Sequence, residues 1–374
     1  MIMTDTTLDA FLECFSARAV VHDRSGEIAT ESLEDLRKAG YLGLAVPRNI
    51  GGQEIPLSDM TRIVAKIATA DPSTALILAM QYLQTWAVTQ SSWATPAKDR
   101  LLKDILDNGT LINALRVEPE LGTPSRGGIP QTVIRKDTNG WRLDGRKIFS
   151  TGSTALRWGL VWVATAEESP RIGQILVRLD EPGVRIEKSW HQLGMRATGS
   201  HTFIFDNVFI PDDHIINVVS PSVSNPEIPQ LGRYHALLIS SLYNAIACSA
   251  RDWFVKFLHE RVPSGLGRSL ATLPRFHVVI GELEGLLLSN KALLQSGFAE
   301  NISEVEIQQV KRLVTENAIS AVTRAIEAIG NPGLSQNNPL ERHFRDVLCG
   351  RIHSPQGDAV LESAGRDVLM PSAR

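Results

Sequence analysis

The string His353-Ser354-Pro355 sets an imidazole beside a hydroxyl. An imidazole can give or take a proton near neutral pH, whereas serine alone is no base for a carbon acid. A second imidazole, His235, stands in GRYHALL. Phe149, Ser150 and Thr151 follow one another in RKIFSTGS, where an aromatic ring offers stacking and water exclusion next to two hydroxyls. Arg261 carries a guanidinium, which meets phosphate oxygens through two parallel donors. Glu118, in a V-E-P turn, is read as structural, and His191, His201 and His214 as solvated or turn residues. No grouping of His, Cys, Asp and Glu has metal-ligand spacing, so no metal is expected.

These groups need elements to hold them. With 374 residues, 43% hydrophobic and 21% charged, the composition is that of a globular protein large enough for two or three structural units. The net charge of −3 argues against nucleic acid as a partner, and no stretch nears the ~20 apolar residues of a membrane span. The first residues lack a basic signal region, and Cys14, Cys248 and Cys349 are odd in number and far apart. Both point to a cytoplasmic protein with reduced thiols.

Residues 1–110 read as an N-terminal helical domain. Thr7 or Asp9 caps its first helix, Thr30 with Glu34 resembles a capping box closed by Gly40, and Asp71-Pro72 forms an N-cap and N1 pair. Residues 111–220 are short β-branched and aromatic runs split by turns, which predicts a central antiparallel β domain. A proline-rich linker covers 221–230, and residues 228–374 read as long amphipathic helices in an up-down bundle. The fold class is therefore α+β, in the order helical, β, helical.

Five strings in this order resemble the acyl-CoA dehydrogenase family: VPRNIGGQEIP, VEPELGTPSRGG, WRLDGRKIFSTGS, LGMRATGSHTFIFDNVFIPDDHII and IEAIGNPGLSQNNPLERHFRD. The resemblance covers nearly the whole chain. It implies an N-terminal helical domain, a central β domain and a C-terminal four-helix bundle, in a homodimer or homotetramer. It also implies FAD or FMN between the β domain and the bundle, with residues of a neighbouring subunit completing the site.

Carried over residue by residue, the resemblance puts Val117, Phe149, Ser150, Thr151, Arg261, Glu327, Gly330 and Gln356 at the cofactor. Val117 replaces a family threonine and Glu327 a glutamine. The two family positions of the catalytic glutamate are Ser354 and His235 here, so neither has a carboxylate. Instead, His353-Ser354-Pro355 resembles the H-x-P of flavin monooxygenases built on this fold, such as the dibenzothiophene monooxygenase type. A second histidine found in part of that group is Gly350 here.

The resemblance thus implies a flavin-dependent oxidoreductase acting on a small molecule, with His353, Ser354 and His235 as candidate catalytic residues. A two-component monooxygenase, fed with reduced flavin by a separate reductase, is favoured. The alternative is an acyl-CoA dehydrogenase whose base lies outside the usual glutamate positions. Met80 to Gln84 and Tyr234 to Leu238 are expected to line the substrate pocket.

Overall fold

The computed structural model describes residues 5–93, 96–122, 127–221, 228 and 230–370. Among them five helices come first: α1 (Asp5–Ser25), α2 (Thr30–Lys38), α3 (Leu57–Ala68), α4 (Pro72–Gln90) and α5 (Pro96–Asn108). Their caps separate good from poor sequence signals. Asp71 caps α4 as expected, accepting from the N–H groups of Ser73 (3.0 Å) and Thr74 (3.1 Å), with Pro72 at the first helical position. Thr7 and Asp9, by contrast, lie inside α1, which starts two residues before Thr7. Thr30 is the first residue of α2 rather than its cap; Ala29 takes that place without a side-chain bond. Gly40 does adopt the left-handed conformation just past the helix end, at φ 77°.

Seven strands come next: β1 (Leu111–Leu115), β2 (Val133–Asp137), β3 (Gly140–Lys147), β4 (Leu156–Thr165), β5 (Ile172–Arg178), β6 (Val184–Glu187) and β7 (Thr202–Ile210). They form one sheet in the order β1-β4-β2-β3-β7-β6, with β5 also on β4. The expected antiparallel pairing holds for β2–β3, β3–β7, β4–β5 and β6–β7. Two pairs, β1–β4 and β2–β4, are parallel. The connections that bring β1 and β2 to β4 are crossovers rather than hairpins, and only hairpins force antiparallel neighbours. On β4, Val161 and Val163 enter the core of the β domain, while Leu160 and Trp158 pack with Leu101 and Ile105 of α5.

The last part holds α6 (Leu231–Glu260), α7 (Pro274–Ser296), α8 (Glu304–Ile329), α9 (Leu340–Leu348) and α10 (Gly357–Leu369). Helix α7 runs back along α6: Arg275 at its start donates to Ala328 O, while Gly297 O at its end accepts from Arg233. Helix α8 then runs parallel to α6, started by a reciprocal Ser303/Glu306 capping box. Its buried stripe of Ile307, Val310, Val314, Ala318 and Val322 fills the centre of the bundle.

Two distant strings dock directly. The N–H of Met195 donates to Asp346 Oδ1 at 2.6 Å, and a Cβ on Gly194 would lie 2.1 Å from the Arg345 carbonyl oxygen. Only glycine fits so close to another backbone. Arg345 in turn grips Asp23 of α1 through two bonds of 3.0 and 2.7 Å, so α9 holds both the β domain and the first helix.

Candidate active site

His353 leaves a short turn after α9 and meets α6 and α8. Its Nε2 lies 2.8 Å from the hydroxyl of Tyr243, a fully buried residue of α6. Lys311 of α8, also buried, donates to the carbonyl oxygens of His353 and, at 2.7 Å, of Pro355. His235, in the second turn of α6, places its ring 6.4 Å from that of His353 at 61°. The two imidazoles named from the sequence are therefore neighbours. Ser354 is half-buried beside them.

Burial, then the positive charges of Lys311 and Arg116, lowers His235 to about 3. Burial, then His235 and Lys311, lowers His353 to about 3. Burial alone lowers Lys311 to about 8. Among the described residues the charges acting on the two rings come from Lys311 and Arg116, and no carboxylate acts on either. Both imidazoles are hence neutral near pH 7, which corrects the expectation that His353 titrates there. The Tyr243 phenol is pushed well up by burial and keeps its proton. A phenol donating to Nε2 leaves the ring proton of His353 on Nδ1. At Gly350 a Cβ would lie 3.2 Å from Tyr243 and Thr315, so a larger side chain there would crowd both.

On the sheet side, Glu118 accepts from Lys147 Nζ (2.6 Å) and from the N–H groups of Gln131 (2.8 Å) and Thr132 (3.0 Å). Burial opposes ionisation of Glu118, but these donors bring it below its ordinary value; burial drops Lys147 to about 8. This buried pair ties the end of β3 to the turn after β1 and is structural, as expected. It anchors the segment leaving β3. There Phe149 adopts a left-handed φ of 57° and leaves its ring 56% exposed, edge-on to Trp190 at 6.2 Å. The Ser150 N–H is bound to His201 O, but its hydroxyl, on a side chain 1% exposed, has no partner among the described residues. The Thr151 hydroxyl lies 3.0 Å from Ser200 Oγ, and its carbonyl accepts from Asn113. Val117 O accepts from the Ile148 N–H. An exposed ring beside an orphaned buried hydroxyl fits a flat cofactor with a polar edge, such as a flavin.

The remaining cofactor candidates lie elsewhere. Arg261 caps the C-terminal end of α6, and Glu327 and Gly330 end α8. Arg261 is 26 residues beyond His235, roughly 39 Å along the helix. Glu327 is exposed beside Arg324 at 3.6 Å, and Gly330 has φ 67° and ψ −136°, a conformation kept for glycine. Gln356 is half-buried at the N-cap of α10. One copy of the chain does not bring Arg261, Glu327 and Gly330 to Phe149 and His353.

The expected lining narrows too. Gln81 is fully buried, bonded to Leu42 O, Thr110 O and the Ile112 N–H, and Leu237 and Leu238 are core residues. Met80, Gln84 and Tyr234 stay half-buried, and Trp86 of α4 stacks on Tyr234 at 3.7 Å and 13°. Sequence reasoning missed Tyr243, Lys311 and Arg116. A lysine on the apolar stripe of α8 was the one available signal, because a lysine is almost never buried without a task. Among the described residues no group of three or more His, Cys, Asp and Glu is placed to hold a metal ion. Among them, too, no helix is long and apolar enough to cross a membrane.

Family models match in three consecutive pieces: acyl-CoA dehydrogenase N-terminal domain over residues 3–107, middle domain over 117–208 and C-terminal domain over 238–355. The Bacillus subtilis protein named putative acyl-CoA dehydrogenase YdbM is 31% identical, covering 95% of this chain and 93% of its own. The dibenzothiophene monooxygenase of Mycolicibacterium goodii is 26% identical over 92% of this chain and 88% of its own. The solved structure of FMN-bound TdsC from Paenibacillus sp. A11-2 superposes with a TM-score of 0.85 at 20% identity, covering 97% of both chains.

Proposed function

This chain belongs to the acyl-CoA dehydrogenase family, and on that footing we propose that it is a flavin-dependent oxidoreductase working as the oxygenase of a two-component monooxygenase. One observation carries the choice of reaction. The two positions at which the family keeps its glutamate hold Ser354 and His235, and among the described residues no carboxylate acts on the paired imidazoles of His235 and His353. Removal of a proton next to a thioester carbonyl needs a carboxylate whose burial makes it a base. The cleft offers donors instead. Relatedness to a dibenzothiophene monooxygenase and the fold shared with FMN-bound TdsC support the reading.

Val117, Phe149, Ser150 and Thr151 would hold the flavin ring, the first and last through backbone and hydroxyl, Phe149 by its exposed ring and Ser150 by its unbonded hydroxyl. Bound there in reduced form, a flavin supplies the electrons that activate oxygen. The chain's own part is to position and to exclude water. Tyr243 fixes the His353 ring through Nε2, so that Nδ1–H is the donor left for a reacting oxygen. Lys311 locks the backbone on either side of Ser354. Arg261, Glu327 and Gly330 complete the cofactor's far end from a second copy, in a homodimer or homotetramer. Exposed Val278, Leu288 and Leu334 on the C-terminal part are apolar surface suited to that contact.

The test compares two routes to the flavin-loaded protein. Anaerobic addition of a straight-chain acyl-CoA is expected to leave the flavin oxidised. Reduction by a flavin reductase and then exposure to oxygen is expected to give an oxygenating enzyme. His353→Ala should lose about 10²-fold or more of that activity while still binding flavin. Rapid bleaching by acyl-CoA, undiminished in His353→Ala, would show the second reading to be right. That reading, an acyl-CoA dehydrogenase with its base elsewhere, is favoured by the 31% identity to YdbM.

A further inference from the structure

Arg116 comes directly after β1, one residue before the V-E-P turn, and its place in the sequence assigns it no role. Its side chain is exposed, while desolvation by the surrounding chain lowers its pKa. No carboxylate among the described residues pairs with it, although nearly every other arginine on this sheet has one: Arg135 with Asp144, Arg142 with Asp137, Arg146 with Glu187 and Arg178 with Asp180. Its guanidinium instead sits over the Trp162 ring at 5.7 Å. The Trp162 indole N–H is buried and likewise has no acceptor among the described residues. Arg116 is also near enough to His235 for its charge to act on that ring.

We infer that Arg116, with the Trp162 N–H, binds an oxyanion carried by the substrate, a carboxylate or a phosphate on an otherwise apolar molecule. The inference rests on the reading of this cleft as the reaction site. A guanidinium is a two-pronged donor, and one with no carboxylate partner keeps both prongs free for an anion. The rest of the cleft agrees. Lys311 adds a positive charge, and the imidazoles are neutral donors. Glu118, the carboxylate nearest in sequence, is already held by Lys147 at 2.6 Å, and among the described residues none acts on either imidazole. The ring of Trp162 also restricts the guanidinium, so little conformational freedom is lost on binding.

The experiment uses the flavin-loaded protein and three probes of one shape: benzoate, phenyl phosphate and neutral benzamide. Wild type is expected to bind benzoate or phenyl phosphate about tenfold or more tightly than benzamide, and the stronger of the two anions identifies the oxyanion class. Arg116→Gln should erase the preference with flavin affinity unchanged, and Arg116→Lys should keep part of it. Trp162→Phe, which retains an aromatic ring and deletes the N–H, should weaken the anion several-fold. Equal binding of benzoate and benzamide to wild type overturns the inference whatever reaction the enzyme performs. So does an Arg116→Gln protein that loses flavin and keeps the anion preference, for the arginine would then serve the cofactor. If acyl-CoA bleaches the flavin and the anion preference still depends on Arg116, the monooxygenase reading falls and the anion site stands.

Discussion

The bond between Tyr243 and His353 makes the imidazole a fixed donor, and it was not legible beforehand. His353 stood out because its neighbours form a motif, while a tyrosine in the apolar stripe of a long helix reads as core. Its hydroxyl matters only because the chain folds His353 against it from 110 residues away. Tyr243→Phe should cost about 1 kcal/mol, the worth of a buried hydrogen bond. It should also lower kcat about tenfold with KM little changed, since the ring would stay in place but lose its orientation. An equal fall in kcat and rise in KM would argue for a general packing defect. The Glu118–Lys147 pair makes the same point for stability. Lys147→Met strands a buried carboxylate and should cost about 3–5 kcal/mol by urea denaturation, with flavin affinity falling because Phe149–Thr151 are no longer held.

At the scale of elements, the helices were readable and the sheet only partly so. Asp71-Pro72 announced α4 because an N-cap is a local event, settled within four residues. The parallel pairs of β4 depend on which crossover packs where, and no window of sequence contains that information. Likewise, Thr30 has the right residue type for a cap but lies one position too late. Asp71→Ala should destabilise the protein by about 1–2 kcal/mol and unsettle the α4 side of the cleft, visible as weaker benzoate binding in the folded variant.

For the whole molecule, the buried titratable groups set an acid limit. His235, His343 and His353 are each lowered to about 3 by burial, so unfolding below pH 6.5 lets all three take up protons. Asp346 is raised to about 7, again by burial, so it loses its proton on unfolding between pH 4 and 7. Among these four groups the histidines outnumber the aspartate, and near pH 5 they make unfolding take up protons. Stability should therefore climb as pH rises through that region. His235→Gln should remove about one proton from the slope of unfolding free energy against pH; an unchanged slope would mean the ring is already charged in the folded state. Oligomerisation belongs to this scale as well. With Arg261 and Gly330 at the far end of the bundle, light scattering at micromolar concentration should find at least a dimer, and a monomer that binds FAD and FMN equally well would contradict the two-copy site. The motif strings revealed the family because they are docking points: G-M-R meets R-D through Met195 and Asp346, and each string is held in its form by the other.

The stack of Trp86 on Tyr234 has an optical consequence. The rings come from α4 and the first turn of α6, so the stack joins those two helices. Two aromatic chromophores 3.7 Å apart and nearly parallel couple their electronic transitions. The stack should therefore contribute a near-ultraviolet circular dichroism signal that is absent from Tyr234→Leu. Any event that separates α4 from the start of α6 would be read as loss of that signal.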